Sequence, residues 1–497
     1  MTAAGPGASA ASSATVHGNS ERRDGALTLA TCVLLCCAYA SGGSSQEFNV
    51  GVMLTQLLSL PVLLFALWKA HRRGRFSALG WSLALPVCAL ALPLLQLLPL
   101  PESLWSLPVA RQSLQQDLTQ AGVTALRYHW SLAPAATERD LLALLPAAAL
   151  FFAATALGSR ALRRVLLLLV ALTFCSLMLG FAQVAAGKDS ILNLFPQWDP
   201  SMGGVFANAN HQAASLAIGL VLAIALAFDA RSRIRRGEKL SVLLGLLAIV
   251  IVIFIAAVPM IGSRAGPIIA IIPVMLFILF SGVIPFDYRR GATQAVLGIA
   301  VLMLCATIYA AFSWLAGGKI DLIRSALAQQ TALIGFTHAP WGGGLGAFVP
   351  LFEQGADTAV LRDEYFNAAH NDYAQLWLEA GPLAIICLLA LAICLVVSAR
   401  RLFAMRHKSN SRRRGMAALA ALIVILLHSW VDYPLRTPGL MAVFAVVAGM
   451  LTIASFRGRA KSDSSSNSDN DEPDNFHCRD ENISPTQLAR EVWIKGT

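Results

Sequence analysis

The sequence predicts an all-α, polytopic membrane protein, and three observations lead there. The 497-residue chain is 56% apolar and only 13% charged, about half the charge usual in a soluble domain, and its mean hydropathy is +0.63. Its apolar residues fall in long uncharged runs, and about 17 or more such residues suffice to cross the hydrocarbon core of a bilayer as a helix. Its Lys and Arg residues gather in short segments between alternate pairs of runs. Eight of the nine cysteines lie in apolar runs, with neither metal-ligand spacing nor a disulfide pattern, and read as small packing residues.

Twelve spans are predicted, near 26–43, 50–68, 79–101, 141–158, 165–186, 209–228, 240–261, 266–284, 293–316, 383–399, 415–431 and 438–456. The first 25 residues carry mixed charge and run straight into the first span, which does not suit a cleavable signal. With the N-terminus inside, inner segments hold 26 of the 38 Lys and Arg residues, outer loops hold 9 and the C-terminal tail holds 3. Cytoplasmic loops retain such residues, so both termini are predicted cytoplasmic. The net charge of +10 then follows from topology, not from nucleic-acid binding. The organisation expected is a cytoplasmic segment 1–25, spans one to nine over 26–316, an outer loop over 317–382, spans ten to twelve over 383–456, and a tail, 457–497. That tail has too little apolar content to fold alone and reads as disordered.

The outer loop 102–140 carries Trp105, Tyr128 and Trp130, which suit interfacial anchors or ligand contacts. At the outer end of the sixth span stands Gly203-Gly-Val-Phe-Ala-Asn-Ala-Asn-His-Gln212. There Asn208 or Asn210 can cap the helix, or Asn210 and His211 can line a polar cavity. The tight outer turn Ile261-Gly-Ser-Arg-Ala-Gly-Pro267 breaks the positive-inside pattern with Arg264. Arg264 either meets lipid phosphates or faces a diphosphate, whose oxygens its planar fork matches.

The long outer loop is the polar stretch around which the chain is organised. Its segment 321–330 has helical character and can lie flat on the membrane, with Arg324 either solvated or a second phosphate ligand. Gly342, Gly343, Gly344 and Gly346 either let backbone approach a ligand or form a flexible connector. A helix is then expected, capped by Asn367 and ended by Gly381-Pro382, with His370, Tyr373, Trp377 and Ala380 on one face. His370 in its first turn would be kept neutral by the helix dipole, and a neutral imidazole can take a proton from a hydroxyl. The bland reading is a structural interfacial histidine.

The stretch His428-Ser-Trp-Val-Asp-Tyr-Pro-Leu-Arg436 follows at the outer end of the eleventh span. His428 is placed within a span, a functional signal by default; an Asp432–Arg436 pair fixing the loop is the simplest account of those two. The inner loops lack a Gly-x-x-x-x-Gly-Lys-Ser/Thr phosphate loop, so any chemistry is placed outside the cytoplasm and without direct use of ATP.

Five motifs in order, Gly204-Val-Phe-Ala-Asn-Ala-Asn-His211, Ser263-Arg-Ala-Gly266, Pro340-x-Gly-x-Gly-x-Gly346 with Arg324 before it, His370-Asn-Asp-Tyr-x-Gln375 with Glu379-x-Gly381, and His428-Ser-x-x-Asp-Tyr-Pro434, resemble the bacterial O-antigen ligase and polymerase family over roughly residues 80–455. One ligase pattern of that family is met by His370, Asn371 and Gly381 but has Ala384 where Gly, Thr or Tyr is expected, which leaves ligase or polymerase open.

The resemblance implies a C-type glycosyltransferase-like fold in the bacterial inner membrane with a periplasmic active site. It implies inverting transfer of a glycan from a polyprenyl-diphosphate carrier to a glycan or lipid A core acceptor, with no cofactor and no metal. His370 would be the base and Arg264 and Arg324 would bind the donor diphosphate; Asn210, His211, Asn371, Glu379, His428, Asp432 and Arg436 are further candidates. Membrane lipids, a flippase and chain-length regulator proteins would be partners, and nucleic acid would not. A polymerase of O-antigen or exopolysaccharide units is favoured over a ligase. Twelve spans also suit a transporter or flippase, but those tend to show paired repeats and midplane ionisable residues, and neither stands out here. A structural scaffold subunit is the third reading.

Overall fold

The computed structural model describes residues 7–45, 50–123, 128–196, 202–263, 265–281, 308, 319–357, 365–405 and 409–466. The predicted ninth span, 293–316, thus lies almost wholly outside the described residues, and the sequence expectations for Arg264 and for residues 467–497 fall outside them entirely. The chain divides into two units, 1–458 and 459–497; in the second, residues 459–466 are helical.

Among the described residues the fold is all helical. In order come α1 (Gly7–Ser41), α2 (Val50–Arg72), α3 (Arg75–Leu79), α4 (Ala84–Gln96), α5 (Glu102–Trp105), α6 (Val109–Gln120), α7 (Pro134–Ala156), α8 (Ser159–Ala186), α9 (Ala209–Ile234), α10 (Ser241–Ala257), α11 (Ala265–Phe280), α12 (Lys319–Thr337), α13 (Phe348–Gly355), α14 (Asp372–Ala380), α15 (Pro382–Ala404), α16 (Asn410–His428) and α17 (Pro438–Ser466). Among the described residues eight stretches are long and apolar enough to cross a membrane: Asp24–Ser41, Val50–Arg72, Pro134–Ala156, Ser159–Ala186, Ala209–Ile234, Ser241–Ile261, Pro382–Ala404 and Pro438–Phe456. Gly80–Gln96 and Ala265–Phe280 are shorter apolar helices, and α16 opens with Arg412, Arg413 and Arg414.

Burial orders these helices. α9 is buried almost throughout, and so is α17 over Pro438–Phe456, whereas α10 and α15 keep most of their length exposed. The two exposed helices are nevertheless the most apolar, and α10 turns Val242, Ile249 and Val252 outward. An outward apolar face matches acyl chains, not water, as a membrane-embedded bundle requires. The interior joins Leu216, Leu220 and Val221 of α9 to Val424 and Ile425 of α16 and Val443 and Val447 of α17.

At one end of this bundle α12, α13 and α14 close over a smaller core of Leu327, Ile334, Phe348, Phe352 and Leu378. Within the stretch 321–330, which can lie flat on a membrane, Leu327 packs into this core. The glycine run is packed in place and is not a loose connector. Gly343 N and Gly344 N donate to Leu378 O and Glu379 O at 2.9 and 2.8 Å, Leu345 N donates to Gln96 Oε1 at 2.9 Å, and a Cβ on Gly342 would come 2.5 Å from Glu379 O. The run locks the C-terminal end of α14. Arg111, which is fully buried, donates from its guanidinium to Gly342 O at 2.8 Å. Trp105 is also interior, 5.0 Å from the Tyr128 ring, and Trp130 donates from Nε1 to Trp341 O at 2.8 Å.

Candidate functional site

Two short segments and one helix start build the site. Asn371, not Asn367, caps α14: its Oδ1 accepts from Tyr373 N and Ala374 N, both at 3.0 Å. His370 therefore stands one residue before the cap, outside the first turn, and shares no helix face with Tyr373. Its φ of +50° makes it the one non-glycine residue with positive φ among those described. Such backbone costs about 1–3 kcal/mol and persists only where the surroundings impose it. Here Asp372 N donates to Ser429 O at 2.9 Å, Asn371 Nδ2 to Trp430 O at 2.9 Å and Tyr373 OH to Leu426 O at 2.7 Å. The start of α14 is thereby stitched to the last turn of α16 and the segment that follows it.

That segment presents Asp432, and Asp432 does not pair with Arg436. Its Oδ1 lies 3.1 Å from His370 Nδ1 and accepts from Tyr433 N at 3.0 Å. Its Oδ2 accepts from Asn208 Nδ2 at 2.9 Å and Asn210 Nδ2 at 2.8 Å, and the Arg324 guanidinium stands 3.8 Å away. Asn208 also caps α9, since its Oδ1 accepts from Asn210 N at 2.9 Å, so the two asparagines both start the helix and hold the carboxylate. Burial alone would favour a neutral Asp432, but the His370 hydrogen bond and the electrostatic attraction of the neighbouring His370, His211 and Arg324 side chains outweigh it and hold the carboxyl well below the usual range. An ionised carboxylate only accepts, so His370 carries its proton on Nδ1 and leaves Nε2 as the basic nitrogen. Tyr433 packs edge-on against both His370 and His211, at 4.9 and 5.0 Å between ring centroids.

Arg436 belongs to a second cluster. It forms a two-pronged pair with Glu379, Nη2 to Oε2 at 2.7 Å and Nη1 to Oε1 at 3.2 Å, and its Nε is 3.6 Å from Asp372 Oδ1. Glu379 is fully buried. Burial opposes the Arg436 cation, but Glu379 and Asp372 more than offset that and raise its pKa. Asp372 also accepts from Ser429 Oγ at 2.9 Å and Leu435 N at 3.2 Å. Even so, burial pushes its carboxyl up to about 7, against the lowering effect of Arg436.

This second cluster faces a cavity of about 770 Å³. Arg139, Asp140, Asn367, Asp372, Gln375 and Arg436 supply polar lining, and Phe151, Leu388, Leu391, Met441 and Phe444 apolar lining. A space of this size with a charged part and apolar walls suits a group that is polar at one end and hydrocarbon at the other.

The structure thus brings together Asn210, His211, Arg324, His370, His428 and Asp432, and gathers Glu379 and Arg436 separately, with Asn371 as the cap. Sequence reasoning missed Asp140, Asp372, Thr437 and the second role of Asn208. Asp372 stood inside the His370 motif, and its place beside the cap was the available signal; Thr437 carried none. No model of a known protein family matches the chain, and no curated protein is similar to it in sequence.

Proposed function

We propose that this protein is a membrane glycosyltransferase that joins polyprenyl-diphosphate-linked oligosaccharide units at the periplasmic face of the bacterial inner membrane, as a polymerase of O-antigen or exopolysaccharide. The observation that carries the reading is the His370–Asp432 pair with Arg324 beside it. An acceptor sugar hydroxyl is a weak nucleophile, and a positioned base assists it. Its oxygen attacks the anomeric carbon of the donor while the carbon–oxygen bond to the diphosphate breaks. His370 Nε2 takes the hydroxyl proton, Asp432 stabilises the imidazolium formed, and the bonding electrons leave with the diphosphate. Arg324, and Arg264 by its place in the sequence, neutralise the charge that develops there. Attack opposite the leaving group inverts the anomeric centre.

Twelve spans with both termini cytoplasmic fit the distribution of Lys and Arg, and put this end of the bundle outside. The polar and apolar walls of the cavity beside Asp372 fit a lipid-linked sugar. Replacement of His370 tests the reading. In the host lacking this gene, wild type restores long surface glycans, and His370→Ala, present in the membrane at wild-type level, restores none. Single units on the acceptor, or loss of secreted polymer, in the deletion strain mark a polymerase; long chains left unattached to lipid A core mark a ligase. Wild-type glycans with His370→Ala overturn the assignment and favour transport.

A further inference from the structure

Around Asp432 of the His370–Asp432 pair lie two buried histidines that the transfer reading leaves unexplained. His211 at the start of α9, His428 at the end of α16 and Asp432 in the following turn place one nitrogen or oxygen each within 4.8 Å of one another. All three are at most 1% exposed. His211 Nε2 and both ring nitrogens of His428 have no hydrogen-bond partner among the described residues. A buried polar side chain almost always finds one, and a histidine with neither nitrogen satisfied departs from that rule twice.

The tautomer of His211 follows from its surroundings. Its Nδ1 lies 3.0 Å from Thr437 Oγ1, while Nε2 is 3.9 Å from Asp432 Oδ1, beyond hydrogen-bond reach. Placing the proton on Nδ1 lets it donate to Thr437 and turns the Nε2 lone pair inward. A protein holds a metal-binding imidazole in this way, by a hydrogen bond at the other nitrogen. His428 and Asp432 are four residues apart on one continuing turn, with Asp432 N donating to His428 O at 2.9 Å. His211 joins them from another helix. Arg324 and the two asparagines face Asp432 Oδ2; Oδ1, which His370 Nδ1 and Tyr433 N already meet, is the oxygen 3.9 Å from His211 Nε2, so a cation held by the histidines shares Oδ1 with those two contacts.

We propose that His211, His428 and Asp432 form a binding site for one divalent first-row transition-metal ion, of the zinc class. Two imidazoles and a carboxylate match the ligand preference of such ions. Bond lengths of about 2.0–2.2 Å bring tetrahedral ligands to roughly 3.4 Å apart, so the three side chains close by at most about 1.4 Å. The ion takes up His211 Nε2 and one of the two orphaned His428 nitrogens and, by sharing Asp432, ties the α9 and α16 ends to the segment that carries His370.

The test uses the full chain without a polyhistidine tag, purified in detergent, incubated with Zn²⁺ or Co²⁺ and freed of excess metal. About one equivalent is expected per chain, with Co²⁺ giving the visible absorption of a nitrogen- and oxygen-bound ion. His428→Ala and His211→Ala bring retained metal to background while eluting as monodisperse protein. Thr437→Val, which keeps all three ligands, weakens affinity about 10–100-fold, and it carries the test should the histidine variants fail to fold. Wild-type protein that retains neither metal overturns the proposal, as does undiminished binding by His428→Ala or by Thr437→Val.

Discussion

His370 and Asp432, 62 residues apart in sequence, meet through a 3.1 Å contact between Nδ1 and Oδ1. The contact depends on a residue with positive φ on one side and a fully buried carboxylate on the other. Asp432 orients the ring and fixes which nitrogen is basic. Asp432→Asn nearly preserves shape but loses the charge, and an amide able to donate can turn the ring to the wrong tautomer. Transfer should fall by on the order of 10²–10⁴-fold. The loss should appear in the turnover rate, with donor affinity little changed, and assays over a range of donor concentration check the split.

The backbone of His370 separates function from stability. Glycine adopts positive φ without strain, so His370→Gly relieves a cost of about 1 kcal/mol or more while deleting the base. Asp432 keeps Asn208, Asn210 and the Tyr433 amide in that variant. Its melting temperature in detergent should equal or exceed wild type while transfer is lost. A fall in melting temperature would show that the His370–Asp432 contact stabilises the fold by more than the strain it carries.

The helices were legible because long uncharged apolar runs are a local signal, and eight of the expected spans coincide with helices long and apolar enough to cross a membrane, while those near 79–101 and 266–284 meet shorter apolar helices. The site was legible only as residue types. His370, Arg324 and Asp432 stood out as polar groups in an apolar chain, but their partners are set by how α9, α14 and α16 end against one another. Asp432 and Arg436, four residues apart, offered the obvious ion pair; the turn between them sends one toward His370 and the other toward Glu379. The glycine run misled for a related reason. Its sequence states that backbone comes close to something, and only packing reveals that the something is Glu379 O.

Gly342 tests that packing. With φ of +69°, and with Glu379 O where a Cβ would go, Gly342→Ala meets strain and a backbone clash together. Stability should fall by about 2 kcal/mol, and transfer should weaken through displacement of Glu379. Thermal unfolding of the purified variant checks the first effect and surface-glycan gels the second.

Asp372 gives the fold a pH dependence of defined sign. An aspartate in the unfolded chain titrates near 3.9, whereas in the fold it titrates at about 7. The folded state then holds a proton that the unfolded state has released, so this group's contribution is most favourable below about pH 4 and is lost as pH rises towards 7. Asp372→Asn removes the titration. The melting temperature of the variant should therefore gain on wild type as pH rises from 5 to 7, and parallel curves would mean that Asp372 is ionised throughout.

Arg436 is the cation that lets two carboxylates sit together in the interior. Removing one partner of a buried ion pair is worse than removing both, because the survivor keeps its desolvation cost and loses its compensation. Arg436→Met leaves Glu379 and Asp372 facing each other without a positive charge, and should destabilise by about 3–5 kcal/mol. Glu379→Gln removes one of those charges, and adding it to Arg436→Met should return part of the loss. A double-mutant cycle measured by thermal unfolding reads this directly: coupling of more than about 1 kcal/mol is expected. Strict additivity would mean that Arg436 does not depend on Glu379 and is held by Asp372 instead.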